Sequence, residues 1–227
     1  MASDPPDKSP PLAVAVLISG SGSNLQALID AQQAGELPID IRVVISNRAD
    51  AYGLTRAANA GIETKVLSHK GFPSRAEYDQ ALAALLREFD PGLVVLAGFM
   101  RILTPELVAR FHGRMFNIHP SLLPKYPGLH THQRALDAGD AEHGATVHFV
   151  TDELDGGPRV LQARVPVLPG DDAERLAARV LEQEHRIYPL AVRWFATGRL
   201  RLDHAGRVLL DGRVLTEPAD LADIARD

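Results

Sequence analysis

Residues 12–24 read LAVAVLISGSGSN, and this stretch decides how the chain folds. Its apolar run, residues 12–19, has the near-continuous hydrophobicity of a strand that is buried on both faces. A glycine-rich turn follows, and a helical pattern starts at Asn24. A buried strand that leads directly into a helix is the repeating unit of parallel α/β sheets, so this stretch indicates the fold class.

The same alternation continues along the first half of the chain. Further strand patterns lie at 39–46, 62–67 and 93–96, and helical patterns lie at 24–34, 52–60 and 74–89. Strands and helices in this order build a parallel sheet with helices on both faces. We therefore predict an α/β fold with a doubly wound, mainly parallel, twisted sheet.

The second half extends this domain and adds smaller pieces. We expect a short helix at 132–138, strands at 145–150 and 160–167, and a long helix from 172 to about 196. Residues 200–215 read as a small antiparallel appendage, because short apolar runs alternate there with Gly-containing turns. The predicted organisation is a single domain at 12–215, with a disordered, Pro-rich N-terminal tail at 1–11 and a C-terminal tail at 216–227.

The composition excludes several classes of protein. The 227 residues are 45% hydrophobic, enough for a proper core, and the formal net charge of -5 gives no basic surface for nucleic acid or an anionic membrane. The absence of cysteine excludes disulfides, thiolate nucleophiles and zinc-thiolate sites. It is compatible with the reducing cytoplasm, where we expect the chain to act. No apolar run approaches the ~20 residues of a membrane-spanning helix.

The turn after the first strand has the features of an anion site. In parallel α/β folds, ligands bind at the carboxyl ends of the strands. Glycines at 20 and 22 let the backbone approach an anion, and the start of the following helix favours a phosphate. Leu25 stands where a dinucleotide fingerprint needs its third glycine, and no Lys-Ser or Lys-Thr follows, so a small phosphomonoester is favoured over NAD or ATP. The alternative is a plain strand-to-helix turn with a Ser N-cap.

A second group of polar residues stands at the end of a later strand. The strand pattern at 115–118 runs into a loop with prolines at 120 and 124, which exclude helix and central strand. Residues two apart in a strand point to the same side, so Asn117 and His119 present an amide and an imidazole to one small volume. Such a pair suits acyl transfer, in which a carbonyl oxygen gains negative charge while a proton leaves the nucleophile. The alternative is a strand end with a capping Asn and an ordinary surface His.

Three further features allow a functional or a purely structural explanation. The apolar loop at 97–103 suits either a pocket for a flat aromatic ligand or plain core packing. The acidic loop at 151–158 suits solvated surface or a carboxylate that orients a catalytic histidine, and its irregular spacing argues against calcium. Glu184 lies on the apolar stripe of the long helix, where a carboxylate needs a ligand or a core ion pair as its partner.

Nine histidines raise the question of a metal site. His130 and His132 form a His-x-His pair, but no cysteine, HExxH motif or carboxylate pattern completes a ligand set. We therefore expect no metal.

Four motifs in order make the chain resemble a known family. They are ISGSGSNL at 18–25, AGFMR at 97–101, FNIHPSLLP at 116–124 and TDELDGGP at 151–158. In this order and at comparable spacing they resemble those of the phosphoribosylglycinamide (GAR) formyltransferases, folate-dependent enzymes of purine biosynthesis whose fold is Rossmann-related. The resemblance covers roughly residues 12–215, although Arg159 stands where the family usually has an apolar residue.

The resemblance implies catalytic roles for three residues. His119 corresponds to the histidine that transfers a proton, and Asp155 corresponds to the carboxylate that supports it. Asn117 corresponds to a residue shared between the folate and the reacting centre.

The resemblance also implies two binding regions. Gly22, Ser23 and Asn24 correspond to the turn that binds the GAR phosphate, and Glu184 corresponds to a residue that holds the substrate amine. The further positions that it implies for folate binding are Arg75, Met100, Arg101, Ile102, Leu103, Thr151, Asp152, Glu153 and Leu154.

The implied reaction transfers a formyl group from 10-formyltetrahydrofolate, as co-substrate, to the amine of GAR, without a metal. The partners are then two small molecules, and the sequence leaves open whether the chain forms a homodimer. The nearest alternatives are a formyltetrahydrofolate deformylase, expected to carry an extra domain before the first strand, and a methionyl-tRNA formyltransferase, expected to carry a basic domain after the catalytic one. A non-catalytic folate-binding or phosphometabolite-binding module is the alternative from a different class.

Overall fold

Strands and helices alternate along the chain as the sequence predicts. The computed structural model describes residues 10–224, so the predicted N-terminal tail lies almost entirely outside the described residues. The strands are β1 (Leu12–Ile18), β2 (Ile39–Ser46), β3 (Thr64–Val66), β4 (Leu93–Leu96), β5 (Met115–His119), β6 (Glu142–Phe149), β7 (Arg159–Pro166), β8 (Leu200–Leu202), β9 (Val208–Leu210), β10 (Arg213–Val214) and β11 (Ala219–Asp220). The helices are α1 (Ser23–Gln33), α2 (Tyr52–Asn59), α3 (Arg75–Phe89), α4 (Pro105–Arg110), α5 (Thr131–Asp137), α6 (Ala173–Ala196) and α7 (Leu221–Ile224), and a single 3-10 turn spans His69–Gly71. None of the helices between residues 10 and 224 is both long enough and apolar enough to cross a membrane.

Eight of the strands form one sheet in the order β11-β7-β6-β5-β4-β1-β2-β3. The pairs β1–β2, β1–β4, β2–β3 and β4–β5 are parallel. β6 runs antiparallel to both of its neighbours, β5 and β7. The strands β8, β9 and β10 form a separate antiparallel sheet. The mainly parallel sheet and the small antiparallel appendage confirm the predicted fold class.

Strand β1 lies at the centre of two hydrophobic clusters, one on each face of the sheet. Val14, Val16 and Ile18 belong to the cluster that contains α1 and α6. Ala15 and Leu17 belong to the cluster that contains α3 and α4. All five side chains are fully buried. A strand with helices on both faces needs apolar residues at every position, which explains the uninterrupted apolar run.

The prediction of a C-terminal tail at 216–227 is wrong for its central part. β11 pairs in parallel with β7, and α7 follows it directly. Asp220 accepts a hydrogen bond from Arg164 at 2.9 Å, while Leu221 and Ile224 pack on the core. A two-residue strand has no readable period, and this one forms because β7 offers an open edge that the local sequence does not reveal.

Tyr188 of α6 joins the two strands that carry the candidate site. Its side chain is fully buried, and its hydroxyl lies 2.8 Å from the Leu96 carbonyl oxygen and 3.2 Å from that of Phe116. Leu96 is the last residue of β4, and Phe116 precedes Asn117 on β5. The hydroxyl therefore helps to fix the spacing of β4 and β5 beneath the site.

Tyr188→Phe is expected to lower the free energy of unfolding by about 1–3 kcal/mol, because the buried carbonyl oxygens of Leu96 and Phe116 lose the single O–H donor that they share. Tyr52→Phe is the matched control: Tyr52 is 57% exposed, and its substitution should change stability by less than about 0.5 kcal/mol. Urea unfolding followed by circular dichroism measures both variants. Equal stability of the two variants would contradict the role assigned to the Tyr188 hydroxyl.

Candidate active site

The glycine-rich turn after β1 packs tightly against the start of α2. Gly22 is the N-cap of α1 and has a left-handed backbone, with φ 69°, so the cap is not the serine of the plain-turn alternative. A Cβ on Gly22 would lie 2.5 Å from the Gly53 Cα atom, so no larger residue fits. The Gly53 N–H donates to the Gly20 carbonyl at 3.0 Å. The first N–H groups of α1 lack acceptors within the helix, as at any helix start, and they offer a backbone site for an anion.

Arg56 of α2 is a cation beside this turn that the sequence did not single out. Its Nε donates to the Ser21 carbonyl at 2.9 Å, and its Nη1 donates to Gln26 Oε1 at 3.2 Å. The guanidinium also lies over the Tyr52 ring, 4.9 Å from its centroid. No local motif marks Arg56, because it reaches the turn only through the packing of α2.

Asn24 and Glu184 form a buried pair between α1 and α6. Asn24 Nδ2 donates to Glu184 Oε2 at 2.6 Å, and each residue is only 8% exposed. Burial raises the pKa of Glu184, and the hydrogen bond from Asn24 offsets part of that rise. Asn24 Oδ1 is buried and has no hydrogen-bond partner among residues 10–224. The partner of the Glu184 carboxylate is thus an amide and not the cation of a core ion pair.

Asn117, His119 and Asp155 meet near the carboxyl end of β5. Asp155 lies in the loop between β6 and β7, and its Oδ2 is 3.4 Å from His119 Nδ1. The same oxygen accepts the backbone N–H of Gly128 at 2.8 Å. The side chains of His119 and Asp155 are 7% and 8% exposed, so solvent screens their interaction little. The structure therefore brings together the histidine and the carboxylate that the family resemblance pairs.

Both ring nitrogens of His119 face hydrogen-bond acceptors. Nε2 lies 2.8 Å from the Tyr126 carbonyl oxygen, and Nδ1 faces the Asp155 carboxylate. Because a carbonyl oxygen only accepts, Nε2 carries a proton in this arrangement. A second proton, on Nδ1, would point at a carboxylate. This geometry suits a histidine that alternates between one and two protons, as proton transfer requires.

His148 on β6 is a further polar residue of this cluster, and the sequence did not single it out. It is the direct cross-strand partner of Asn117, and its Nε2 lies 3.2 Å from Asn117 Nδ2 and 3.8 Å from Asp155 Oδ1. The only available signal was a polar residue near the end of an apolar strand. That signal cannot place His148 beside Asn117 without the register of the β5–β6 pairing.

A cavity of about 110 Å³ lies beside these residues. Its lining consists of Leu96, Phe99, Arg101, Ile102, Leu103, Val108, Asn117, His148, Val150, Thr151, Asp152, Glu153, Leu154 and Asp155. The predicted folate-binding positions 101–103 and 151–154 thus come together with Asn117. Two predicted positions do not join them: Met100 is 66% exposed and Arg75 is exposed at the start of α3, and neither lines the cavity.

The loop at 97–103 is held from two sides. The guanidinium carbon of Arg101 lies 4.7 Å from the centroid of the Tyr78 ring of α3. At the other side, Ser19 Oγ accepts the backbone N–H of Met100 at 2.8 Å, and the Ser19 N–H donates to the Gly98 carbonyl at 3.0 Å. These contacts join one wall of the cavity directly to the glycine-rich turn.

The buried His143 and the partly buried His132 form a histidine pair near Tyr126. His143 Nε2 is 3.2 Å from His132 Nδ1, and the His143 ring is 6.2 Å from the Tyr126 ring. Burial, followed by the nearby His132, lowers the pKa of His143 to about 4. His130 is exposed and does not belong to the pair. Within residues 10–224, no group of three or more His, Cys, Asp or Glu side chains is placed to hold a metal ion.

Comparisons with known proteins agree on one family. Residues 12–192 match the formyl transferase family. The chain is 56% identical over 210 residues to phosphoribosylglycinamide formyltransferase of Escherichia coli (strain K12), covering 92% of this chain and 99% of that protein. It is 54% identical over 202 residues to the Haemophilus influenzae protein of the same name, covering 89% of this chain and 95% of that protein. The solved structure of the Coxiella burnetii phosphoribosylglycinamide formyltransferase aligns with a TM-score of 0.88 at 54% identity, over 92% of this chain and 99% of that one.

The buried His143 predicts stability that depends on pH. Its pKa in the folded chain is about 4, below the ordinary 6.5, so the unfolded chain binds more protons between these values. Its contribution to the free energy of unfolding is complete above pH 6.5 and is lost as the pH falls toward 4. His143→Gln is therefore expected to flatten the dependence of stability on pH in this window, as measured by urea unfolding. The control is His204→Gln, at an exposed histidine, and identical pH slopes for wild type and His143→Gln would contradict the prediction.

Proposed function

The chain belongs to the formyl transferase family, and we propose the residues with which it carries out its reaction. It transfers the formyl group of 10-formyltetrahydrofolate to the amine of GAR, giving formyl-GAR and tetrahydrofolate in de novo purine biosynthesis. The deformylase, the tRNA enzyme and the binding module are not favoured by these similarities. The meeting of Asn117, His119 and Asp155 beside the loop cavity is the observation that carries the residue assignment.

Asn117 stabilises the oxyanion in this proposal. Attack of the GAR amine on the formyl carbon gives a tetrahedral intermediate whose oxygen carries negative charge. One N–H of the Asn117 amide donates to this oxygen, and the protonated ring of His119 adds positive charge beside it. Such a donor is typically worth about 3–4 kcal/mol of transition-state stabilisation.

His119 transfers the proton. The departing folate nitrogen gains a proton and the amine loses one. A doubly protonated His119 regains its starting state if Nε2 gives its proton to the folate nitrogen and then takes the proton that the amine loses. In the structure, the His119 Nε2 N–H donates to the Tyr126 carbonyl. During the reaction it donates to the folate nitrogen instead. Asp155 holds Nδ1 from the other side and stabilises the imidazolium electrostatically.

GAR is held by α1 and α6. The N–H groups of Gly22, Ser23 and Asn24 bind its phosphate, because a helix start offers free donors and a favourable dipole. The Arg56 guanidinium, fixed at the edge of the same turn, adds positive charge. The Glu184 carboxylate accepts from the substrate amine and keeps it at the reacting centre.

The folate occupies the cavity between the two loops. Its lining includes Asn117 together with Arg101, Ile102, Leu103, Thr151, Asp152, Glu153 and Leu154. Met100 and Arg75, which lie outside the lining, contact the part of the folate that extends from the cavity. The Arg75 cation suits the carboxylates of the folate tail.

We place this reaction in the cytoplasm. The chain contains no cysteine, which is compatible with that reducing compartment. Two assemblies are to be compared: the monomer, with a mass of 24.6 kDa, and a homodimer. Sedimentation velocity distinguishes the two directly.

Asn117→Ala is expected to lower kcat for GAR formylation by roughly 10²- to 10³-fold, because it removes one oxyanion donor. His119→Ala and Asp155→Asn are expected to lower kcat as well, with smaller effects on KM. Release of tetrahydrofolate in the presence of GAR measures all three variants, with His112→Ala as the control at an exposed histidine. Near-normal turnover by His119→Ala with substrate binding intact would refute its role, and release that is independent of GAR would indicate a hydrolase.

Glu184→Gln is expected to raise the KM for GAR by roughly tenfold or more and to leave the KM for the folate nearly unchanged. A hydrogen bond to a charged group is worth about 1.5–3 kcal/mol, and the neutral amide gives up that charge while keeping the shape. Glu182→Gln, at an exposed position of the same helix, is the control. An unchanged KM for GAR in Glu184→Gln would exclude Glu184 from substrate binding.

A further inference from the structure

His148 is a buried histidine at the candidate site to which the reaction described above gives no task. It is 2% exposed and lies on β6, directly across from Asn117. Its Nε2 is 3.2 Å from Asn117 Nδ2. The two titratable groups that face it are Asp155, 3.8 Å away, and His119, whose charge also acts on it.

The contacts of His148 determine which of its nitrogens carries the proton. Nδ1 lies 2.9 Å from the Phe149 carbonyl oxygen, which only accepts, so Nδ1 carries a proton. Burial lowers the pKa of His148, so the ring holds only this one proton at neutral pH. Nε2 is then a bare acceptor.

An acceptor at Nε2 determines how the Asn117 amide is oriented. An amide nitrogen donates and does not accept, so the short contact is a hydrogen bond from Asn117 Nδ2 to His148 Nε2. The opposite orientation would place the Asn117 oxygen against the Nε2 lone pair, which is repulsive. One N–H of the amide is thereby used, and the other is held at a fixed angle at the edge of the cavity that both residues line.

We propose that His148 is a positioning residue that locks the Asn117 amide with its free N–H toward the formyl oxygen. This inference rests on the proposed role of Asn117 and extends it to a residue that acts through the Asn117 amide. The Phe149 carbonyl fixes the tautomer of His148, and that tautomer fixes the rotamer of Asn117. Without His148 the amide can turn over, and an oxygen then faces the oxygen that it should stabilise.

The test compares His148 with a side chain of similar shape that has no hydrogen-bond acceptor. His148→Phe removes the acceptor, and it is expected to lower kcat roughly 10- to 100-fold with the KM values for both substrates within about threefold. His148→Gln can present its side-chain oxygen to Asn117, and it should recover most of the lost turnover. Urea unfolding of both variants shows whether either is merely destabilised.

A double-mutant cycle with Asn117→Ala separates positioning from general damage. If His148 acts through Asn117, adding His148→Phe to Asn117→Ala lowers kcat by less than about twofold further. A full additional loss in the double variant, or wild-type kcat in His148→Phe, would overturn the inference while leaving the role of Asn117 intact. Wild-type kcat in Asn117→Ala would instead overturn that role, and this inference with it.

Nitrogen-15 NMR of the histidine rings tests the tautomer independently of activity. The signals that disappear in His148→Gln belong to His148, and they are expected to show a protonated Nδ1 and a non-protonated Nε2. A proton on Nε2 at neutral pH would contradict the proposal.

Discussion

The Asp155 carboxylate makes the contacts on which the geometry of the site depends. Its two oxygens face the backbone N–H of Gly128, His119 on β5 and His148 on β6. A carboxylate that is only 8% exposed loses most of its hydration, and these partners offset that loss. Asp155 also has a left-handed backbone, with φ 52°, a conformation that aspartate adopts more readily than most residues other than glycine. The contacts of the Asp155 carboxylate thus offset its burial and hold its left-handed backbone. They fix the position of the loop between β6 and β7.

Short-range contacts join the glycine-rich turn after β1 to the apolar loop at 97–103. Ser19, the first residue after β1, donates its N–H to the Gly98 carbonyl and accepts the Met100 N–H at its hydroxyl. That hydroxyl in turn donates to Asn47 at 2.6 Å. These contacts therefore fix the position of the glycine-rich turn relative to the apolar loop at 97–103.

The sequence predicted the parts of the fold and the site whose geometry is local. The strand period places Asn117 and His119 on one side of β5, and the helical period places Glu184 on the buried face of α6. The parts that depend on long-range pairing were not predictable. His148 reaches Asn117 only through the antiparallel register of β5 and β6, and Arg56 reaches the glycine-rich turn only because α2 packs there. β11 was missed for the same reason, since its partner β7 lies more than fifty residues earlier in the chain.

The close contact between Gly22 and Gly53 means that the glycine-rich turn depends on two separate segments of the chain. A side chain on Gly22 would meet the backbone of Gly53, and a side chain on Gly53 would meet Ile18 Cδ1 at 2.5 Å. A transfer of this turn into another α/β protein must therefore include the start of a second helix as well. If residues 19–24 were grafted alone, a side chain of the host protein would occupy the place of Gly53. The grafted turn would then not keep its backbone conformation. The unit that can be moved between proteins is the pair of helix starts, with Arg56 already attached to it.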